Sequence, residues 1–192
     1  MKKIILASAS PRRQEILTLG GFKFEVRVSD AEDRIQKEEI EKLAPHEQVE
    51  KLAQCKAKDI YSKYAKNEDI LVVGADTVVS VDGRVLGKPE SKEDAIQMLK
   101  RLSGRTHEVY TGVCLIEKEK QKTFSCLTEV SFYEMSDEEI EAYVASGECY
   151  DKAGAYAIQG GAAKFICGIK GDYFNVVGLP LSRLYHEIVQ DA

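Results

Sequence analysis

The chain of 192 residues contains no tryptophan and only four prolines. It also lacks any stretch near the roughly 20 apolar residues that a membrane-spanning helix needs. Its basic start, Met1-Lys2-Lys3, precedes an apolar run, Ile4-Ile5-Leu6, that is too short for a signal peptide. Hydrophobic residues make up 44% of the chain and charged residues 31%, which is ordinary for a globular protein. These features predict a soluble, cytoplasmic protein without membrane association.

Cysteine and histidine are sparse. The five cysteines are an odd number, and no two of them form a Cys-x-x-Cys pair, so we expect reduced and mostly buried thiols. The three histidines show no metal-ligand spacing. The sequence therefore argues against a structural zinc site.

Positive charge is not in excess either, because 27 basic residues face 32 acidic ones and the net charge is −5. This balance argues against general nucleic-acid binding by a basic surface. The chain also lacks a Walker motif, a Gly-x-Gly-x-x-Gly loop and a serine nucleophile elbow. An anionic ligand would therefore require a local concentration of arginines, lysines and a helix N-terminus.

Hydrophobic patterning predicts strands and helices in mixed order. We expect strands at 4–6, 70–81, 84–87, 107–116, 124–135, about 164–167 and 175–177. We expect helices at 11–19, over about 15 residues ending at 64, and at 92–102, 137–144 and 180–189. Asp82-Gly83 is a hairpin signal, and the charged segment 117–122 is the expected tip of a second hairpin. The order predicts one α/β domain over 1–192, with a curved mixed sheet and flanking helices.

The segment Ser8-Ala9-Ser10-Pro11-Arg12-Arg13 lies between the first strand and the first helix. Ser10 suits the N-cap and Pro11 the first helical position. Arg12 and Arg13 then stand in the first turn, where positive charge opposes the helix dipole. Two interpretations are open: both arginines are solvated, or they hold an anion together with the backbone N–H groups of the helix start.

Asp76 lies inside an apolar strand run. A carboxylate in that position predicts an ionic partner, a bound metal or a cleft, because an unpaired buried charge is costly. Gly74 is expected to let a ligand approach the backbone closely. Lys88 ends the return strand of the Asp82-Gly83 hairpin and is expected at the same rim of the sheet as Asp76. Taken without this context, Lys88 is most simply interpreted as a solvated lysine.

Two later segments carry further polar candidates. The loop 150–160 is polar and glycine-rich, which is typical of a loop shaped around a ligand. Its Gln159 offers a donor and an acceptor, which suits either a nucleobase edge or a loop-stabilising amide. Arg105 is offered to a phosphate by the turn 103–107, whereas His107 reads more simply as a structural histidine than as a base.

Six motifs in this order resemble the Maf family over nearly the whole chain. They are SASPRR at 8–13, GADT at 74–77, LGKP at 86–89, SGRTH at 103–107, YDKAGAYAIQG at 150–160 and GDYFNVVGLP at 171–180. One departure follows Gly160, where the family usually continues with a basic residue and Gly-Ala. This chain has Gly161-Ala162-Ala163, which leaves base selectivity less defined than the reaction.

The resemblance implies a nucleoside triphosphate pyrophosphatase, a hydrolase that cuts between the α- and β-phosphates. It implies an inosine triphosphatase-like fold with two lobes around a cleft, and a homodimer. The base preference resembles that of the dTTP/UTP branch, with modified pyrimidine nucleotides as further substrates in nucleotide-pool housecleaning. The alternatives are a nucleotide-binding regulator of septum formation with little catalysis, and a scaffold protein.

Motif position implies roles for individual residues. Asp76 is expected to be the catalytic proton acceptor, and a divalent cation, Mg²⁺ or Mn²⁺, is expected on Glu32 and Asp76, because hard ions need only one or two carboxylates. The positions expected to bind substrate or select the base are Arg12, Thr77, Gln159, Ser8, Arg13, Lys56 and Lys88.

Overall fold

The computed structural model describes residues 3–31, 34–64, 69–118 and 120–190. Its strands are β1 (Lys3–Leu6), β2 (Phe24–Val26), β3 (Ile70–Val81), β4 (Arg84–Leu86), β5 (Thr106–Glu117), β6 (Lys120–Phe132) and β7 (Ile166–Lys170). Its α-helices are α1 (Pro11–Leu19), α2 (Lys37–Glu41), α3 (Pro45–Tyr64), α4 (Lys92–Leu102), α5 (Asp137–Ala145), α6 (Tyr173–Val177) and α7 (Leu181–Gln190). Within these ranges, no helix combines the length and the apolar character needed to cross a membrane.

The strands form a single seven-stranded sheet in the order β2-β1-β3-β5-β6-β7, with β4 paired to β3 beside this path. β1 is parallel to β2 and to β3, whereas β3, β5, β6 and β7 are antiparallel to their neighbours in turn. The hairpin predicted at Asp82-Gly83 is present, because β4 folds back antiparallel on β3. The mixed α/β class is therefore confirmed.

One edge of β3 is shared by two short strands. β5 covers the other edge from Leu71 to Ser80, so β1 and β4 must both lie on the edge opposite β5. β1 pairs with β3 only as far as Val73, and β4 begins to pair at Val79. Residues 74–78 therefore have no described strand beside them on that edge. We call this stretch the β3 gap.

The two faces of the sheet carry different hydrophobic clusters, because side chains alternate along each strand. On one face, Ile70 and Val72 pack with residues of α3. On the other face, Leu71, Val73 and Ala75 belong to a larger cluster to which α1, α4, α5, α6 and α7 contribute. Side chains at the β3 gap therefore point alternately toward α3 and toward α1.

Helix α3 lies very close to the sheet at two glycines. A Cβ atom on Gly74 would lie 2.3 Å from the carbonyl oxygen of Ala53, and one on Gly112 would lie 2.4 Å from that of Val49. Gly112 is the register partner of Asp76. The expectation that Gly74 leaves room for a ligand is therefore wrong, because the backbone of α3 occupies that space.

The end of the chain differs from the pattern-based expectation. A strand is predicted at 175–177, but these residues belong to α6, whose N-cap Asp172 accepts a hydrogen bond from Phe174 N at 2.8 Å. The strand expected near 164–167 begins at Ile166, after a 3-10 turn. Short valine-containing runs favour a strand reading, and local capping decides against it here.

Two boundaries also differ from expectation. The predicted charged tip at 117–122 belongs largely to the strands, since β5 ends at Glu117 and β6 begins at Lys120. Helix α3 has 20 residues instead of about 15. Helix α5 begins as expected at residue 137, with a capping box formed by Ser136 and Glu139.

Candidate active site at the β3 gap

Helix α1 begins beside the β3 gap. Ser10 is its N-cap and Pro11 its first residue, as predicted, but the Ser10 side chain makes no capping hydrogen bond. Instead, Ser10 N donates to Ser8 Oγ at 3.3 Å. The first turn also contains no acidic residue. The positive end of the helix dipole is thus uncompensated by local carboxylates, a favourable arrangement for binding an anion.

Arg13 is turned into the protein and is only 9% exposed. Its Nε donates to the carbonyl oxygen of Gly178 at 2.8 Å, its Nη1 to Ser8 Oγ at 3.0 Å and its Nη2 to Thr77 Oγ1 at 3.0 Å. The interpretation of two solvated arginines is therefore wrong for Arg13. Its guanidinium joins three of the motif segments, and its role as a phosphate ligand stays a prediction.

Arg12 is oriented differently and its side chain is 30% exposed. Its Nη1 lies 3.4 Å from Oδ2 of the exposed Asp151. Partial burial raises the pKa of Asp151, but the adjacent Lys152 and the Arg12 guanidinium outweigh this effect and hold the pKa below its usual value. An exposed pair of this kind contributes little stability, so an incoming anion can replace the carboxylate on Arg12.

Asp76 and Lys56 form a buried ion pair on the α3 face of the β3 gap. Lys56 Nζ lies 2.7 Å from Asp76 Oδ1, and the two residues are 9% and 8% exposed. The close approach of α3 at Gly74 and Gly112 brings the lysine down to the strand. The partner that the apolar surroundings of Asp76 predict is therefore this lysine.

Thr77 points to the opposite face of the same strand. Its Oγ1 accepts from Arg13 Nη2 and lies 2.9 Å from Thr111 Oγ1. The β3 gap is thus flanked by a lysine–aspartate pair on the α3 face and by an arginine–threonine pair on the α1 face. Consecutive residues of one strand supply one member of each pair.

Lys88 and Gln159 are both exposed. Lys88 follows β4, which borders the β3 gap through the pairing of Leu86 with Val79. The loop 150–160 is tied to the same place, because Gly154 N donates to the carbonyl oxygen of Gly87 at 3.0 Å. The structure therefore joins the segments that carry Arg12, Lys88 and Gln159, while their contacts with a substrate stay predictions.

The predicted carboxylate Glu32 lies outside the described residues. The chain just before it is anchored to α3, since Ser29 Oγ donates to Asp59 Oδ2 at 2.8 Å and Lys63 Nζ lies 3.3 Å from Asp30 Oδ1. In the described part of the chain, no group of three or more carboxylate, histidine or cysteine side chains is arranged to hold a metal. Of the two predicted metal ligands, Asp76 is the one that belongs to the described residues, and it lies in the β3 gap.

Two buried polar residues of the site region were not singled out from the sequence. Thr111 and Asn175 are each 0% exposed, and Thr111 Oγ1 donates to the carbonyl oxygen of Asn175 at 2.8 Å. The side chain of Asn175 in turn donates to Val109 O and to Thr128 Oγ1. Only the register that places Thr111 opposite Thr77 reveals this connection, and that register is not a sequence motif.

His107 lies away from the β3 gap and packs against two aromatic residues of the larger hydrophobic cluster, Phe132 and Tyr156. Its Nε2 is 2.8 Å from the Tyr156 hydroxyl, and its ring makes an edge contact with Phe132 at a centroid distance of 5.0 Å. Burial lowers the pKa of His107 to about 4. The structural interpretation of this histidine fits its position. The other candidate of that turn, Arg105, pairs with Asp82 at 2.5 Å on the surface.

The buried His107 predicts a loss of stability in mild acid. Below its ordinary pKa of 6.5 the unfolded chain binds a proton at this residue, whereas the folded protein does not until about pH 4. The free energy of unfolding should therefore fall by roughly 1.4 kcal/mol per pH unit between these values. Urea unfolding from pH 7.5 to 4.5 measures this slope. The His107→Gln variant should lose most of it, and an identical slope in that variant would contradict the assignment.

The open mixed sheet with its flanking helices has the Ham1, inosine triphosphatase-like α/β fold, because two solved Ham1 proteins match it over their whole length. The solved Ham1 protein of Staphylococcus aureus matches it with a TM-score of 0.55 and 14% identity over 100% of both chains. A HAM1 protein of Coxiella burnetii matches it with a TM-score of 0.51 and 17% identity over 100% of both chains. At such identities the likeness concerns the fold alone.

The chain belongs to the Maf family, because the family model described as Maf-like protein matches residues 3–190. A dTTP/UTP pyrophosphatase of Bacillus anthracis is 51% identical over 190 residues, which cover 99% of this chain and 96% of that protein. A dTTP/UTP pyrophosphatase of Bacillus cereus is 50% identical over 190 residues, covering 99% and 90%. The resemblance read from the six motifs is confirmed.

Proposed function

We propose that this protein is a nucleoside triphosphate pyrophosphatase that hydrolyses dTTP and UTP to the nucleoside monophosphate and pyrophosphate. The observation that carries the proposal is the buried Lys56–Asp76 pair at the β3 gap, next to a helix start without acidic residues. The names of the Bacillus relatives support the substrate pair. The reaction serves housecleaning of the cytoplasmic nucleotide pool, including modified pyrimidine nucleotides.

The triphosphate binds through cations and helix N–H groups. It carries about four negative charges, mostly on the β- and γ-phosphates, so its binding and its reaction both depend on charge stabilisation. Arg12 exchanges Asp151 for a phosphate oxygen, and Lys88 approaches from the β4 side. The N-terminal N–H groups of α1 and the hydroxyl of Ser8 supply further hydrogen-bond donors. Arg13 contributes by holding Ser8 and Thr77 in place.

A divalent cation fits this set of donors. Mg²⁺ and Mn²⁺ prefer oxygen ligands, and Mg²⁺ commonly uses one or two carboxylates together with substrate phosphates, which matches a site with Asp76 and a triphosphate. Asp76 would hold the cation, and Glu32 is the second candidate ligand. When bound, such an ion stabilises phosphate charge and makes water a better nucleophile at neutral pH.

Asp76 is the proton acceptor of the proposed reaction. Lys56 Nζ holds Oδ1 at 2.7 Å and so fixes the orientation of the carboxylate, including Oδ2. The oxygen of a water molecule attacks the α-phosphorus, its proton passes to the Asp76 carboxylate, and the bond from the α-phosphorus to the bridging oxygen breaks. Pyrophosphate leaves with that oxygen, and the nucleoside monophosphate remains.

Pyrophosphate release from a panel of nucleoside triphosphates, with Mg²⁺, with Mn²⁺ and with chelator, tests the function. We expect release from dTTP and UTP in the presence of metal, and much less from purine nucleotides. Binding of dTTP without pyrophosphate release would overturn the proposal in favour of a nucleotide-binding regulator. Size-exclusion chromatography with light scattering on the same sample tests the predicted homodimer.

A further inference from the structure

Four groups behind the β3 gap form a continuous hydrogen-bonded chain. Arg13 Nη2 donates to Thr77 Oγ1 at 3.0 Å, Thr77 Oγ1 lies 2.9 Å from Thr111 Oγ1, and Thr111 Oγ1 lies 2.8 Å from the carbonyl oxygen of Asn175. Thr111 is fully buried, whereas Thr77 is partly exposed. The chain thus connects the backbone of α6 to a hydroxyl that borders the β3 gap.

The direction of the hydrogen bonds in this chain follows from counting protons. Each hydroxyl has one proton to donate, and a carbonyl oxygen only accepts. At 2.8 Å from the Asn175 carbonyl, Thr111 gives its proton there, so the proton between the two threonines must come from Thr77. The opposite direction would leave Thr77 to donate to the Gly178 carbonyl at 3.5 Å, which is too long for a good hydrogen bond.

The Thr77 hydroxyl can therefore accept a hydrogen bond from a ligand but cannot donate one. Its proton is committed to Thr111, and one of its two lone pairs is committed to Arg13. The remaining lone pair repels phosphate oxygens, which have no protons to offer at neutral pH. It attracts an N–H or O–H group of the substrate. A free threonine hydroxyl would accommodate either a donor or an acceptor by rotating.

We propose that Thr111 is a positioning residue for base selection: by holding the proton of Thr77, it makes that hydroxyl accept the N3–H of thymine or uracil and reject cytosine. The proposal rests on the pyrophosphatase function proposed above. Thymine and uracil share a protonated N3, whereas N3 of cytosine is a lone-pair acceptor. If cytosine binds, its N3 and the Thr77 hydroxyl oxygen face each other as two acceptors, and both remain without a hydrogen bond. Unpaired polar groups of this kind are costly, so they discriminate strongly between similar ligands.

The ratio of kcat/KM for dTTP to kcat/KM for dCTP is the quantity that tests this proposal. Both nucleotides have the same sugar and phosphates, so a structural defect or a sugar contact of Thr77 lowers both values together and leaves the ratio unchanged. In Thr111→Val the Thr77 proton is free to turn toward the base, and the ratio should fall about tenfold, the effect of one hydrogen bond. Thr111→Ser keeps the hydroxyl and should restore the wild-type ratio.

A second variant covers the case in which the valine side chain prevents folding. Thr111→Ala removes the same hydroxyl without placing a methyl group against the Asn175 carbonyl, and the same fall in the ratio is expected. Wild-type protein that releases no pyrophosphate from dTTP would overturn the proposed function and this inference with it. If the variant without the Thr111 hydroxyl keeps the wild-type ratio of kcat/KM for dTTP to that for dCTP, the inference about Thr111 is overturned, whereas the proposed function stands.

Discussion

Replacing Asp76 with asparagine should lower kcat for dTTP hydrolysis at least ~100-fold, the usual size of a general-base contribution. The amide has the shape of the carboxylate, but it accepts no proton from water and it offers Lys56 no negative charge. KM should change much less, because Arg12, Lys88 and the start of α1 still bind the triphosphate. Steady-state pyrophosphate release with saturating metal measures both constants.

The control for Asp76→Asn is Asp82→Asn. Asp82 lies in the hairpin turn at a φ of 52° and pairs with Arg105 on the surface, and asparagine tolerates that backbone conformation. The turnover of the Asp82→Asn variant should remain at the wild-type level. Circular dichroism and thermal unfolding establish that both variants are folded. Turnover close to wild type in a folded Asp76→Asn protein would remove Asp76 from the reaction.

Replacing Gly74 with alanine should destabilise the protein by about 1–3 kcal/mol or more, the usual cost of overpacking a core. The new Cβ atom would lie 2.3 Å from the Ala53 carbonyl oxygen and 2.9 Å from Ala57 N, and both of these are backbone atoms of α3. The helix must therefore move away from the sheet. Because Lys56 lies on that helix, its contact with Asp76 lengthens and turnover should fall as well. Urea unfolding and the pyrophosphate assay measure the two effects.

Gly168→Ala is the matched control for the packing argument. Gly168 is also in a strand, but its nearest foreign atom to an added Cβ is the Ser131 Cβ atom at 3.9 Å, an ordinary van der Waals contact. Its stability and turnover should change little. Gly112→Ala should reproduce the Gly74→Ala effect from the neighbouring strand. A Gly74→Ala protein as stable as Gly168→Ala would show that α3 does not depend on this close approach.

The sequence predicts those parts of the site that depend on local chemistry. Pro11 after Ser10 places the start of α1 correctly, since proline is favoured in the first helical turn. The apolar surroundings of Asp76 predict an ionic partner, a metal or a cleft, and the structure provides Lys56 as an ionic partner. The hairpin at Asp82-Gly83 predicts the return of β4 that carries Lys88 to the border of the β3 gap. Each of these inferences uses neighbours within a few positions along the chain.

The rest depends on pairing between distant segments. Nothing near Arg13 in sequence indicates that its guanidinium reaches Gly178, or that Lys56 on α3 is brought to Asp76 by two glycines on different strands. Valine-rich 175–177 reads as a strand because propensity is local, whereas the cap at Asp172 makes it a helix. Thr111 becomes visible only through the register of β5 against β3.

The hydrogen bond from Arg13 to Gly178 also bears on when, during synthesis of the chain, the site around Arg13 can be completed. The two residues are 165 positions apart, so the carbonyl that holds the guanidinium belongs to a segment synthesised long after Arg13. Contacts of such separation form late, because they require a large loop to close. A nascent chain that already contains Arg12, Lys56, Asp76 and Lys88 therefore lacks the final acceptor of Arg13. We therefore expect the guanidinium of Arg13 to be fixed in the site only after α6 has packed against α1.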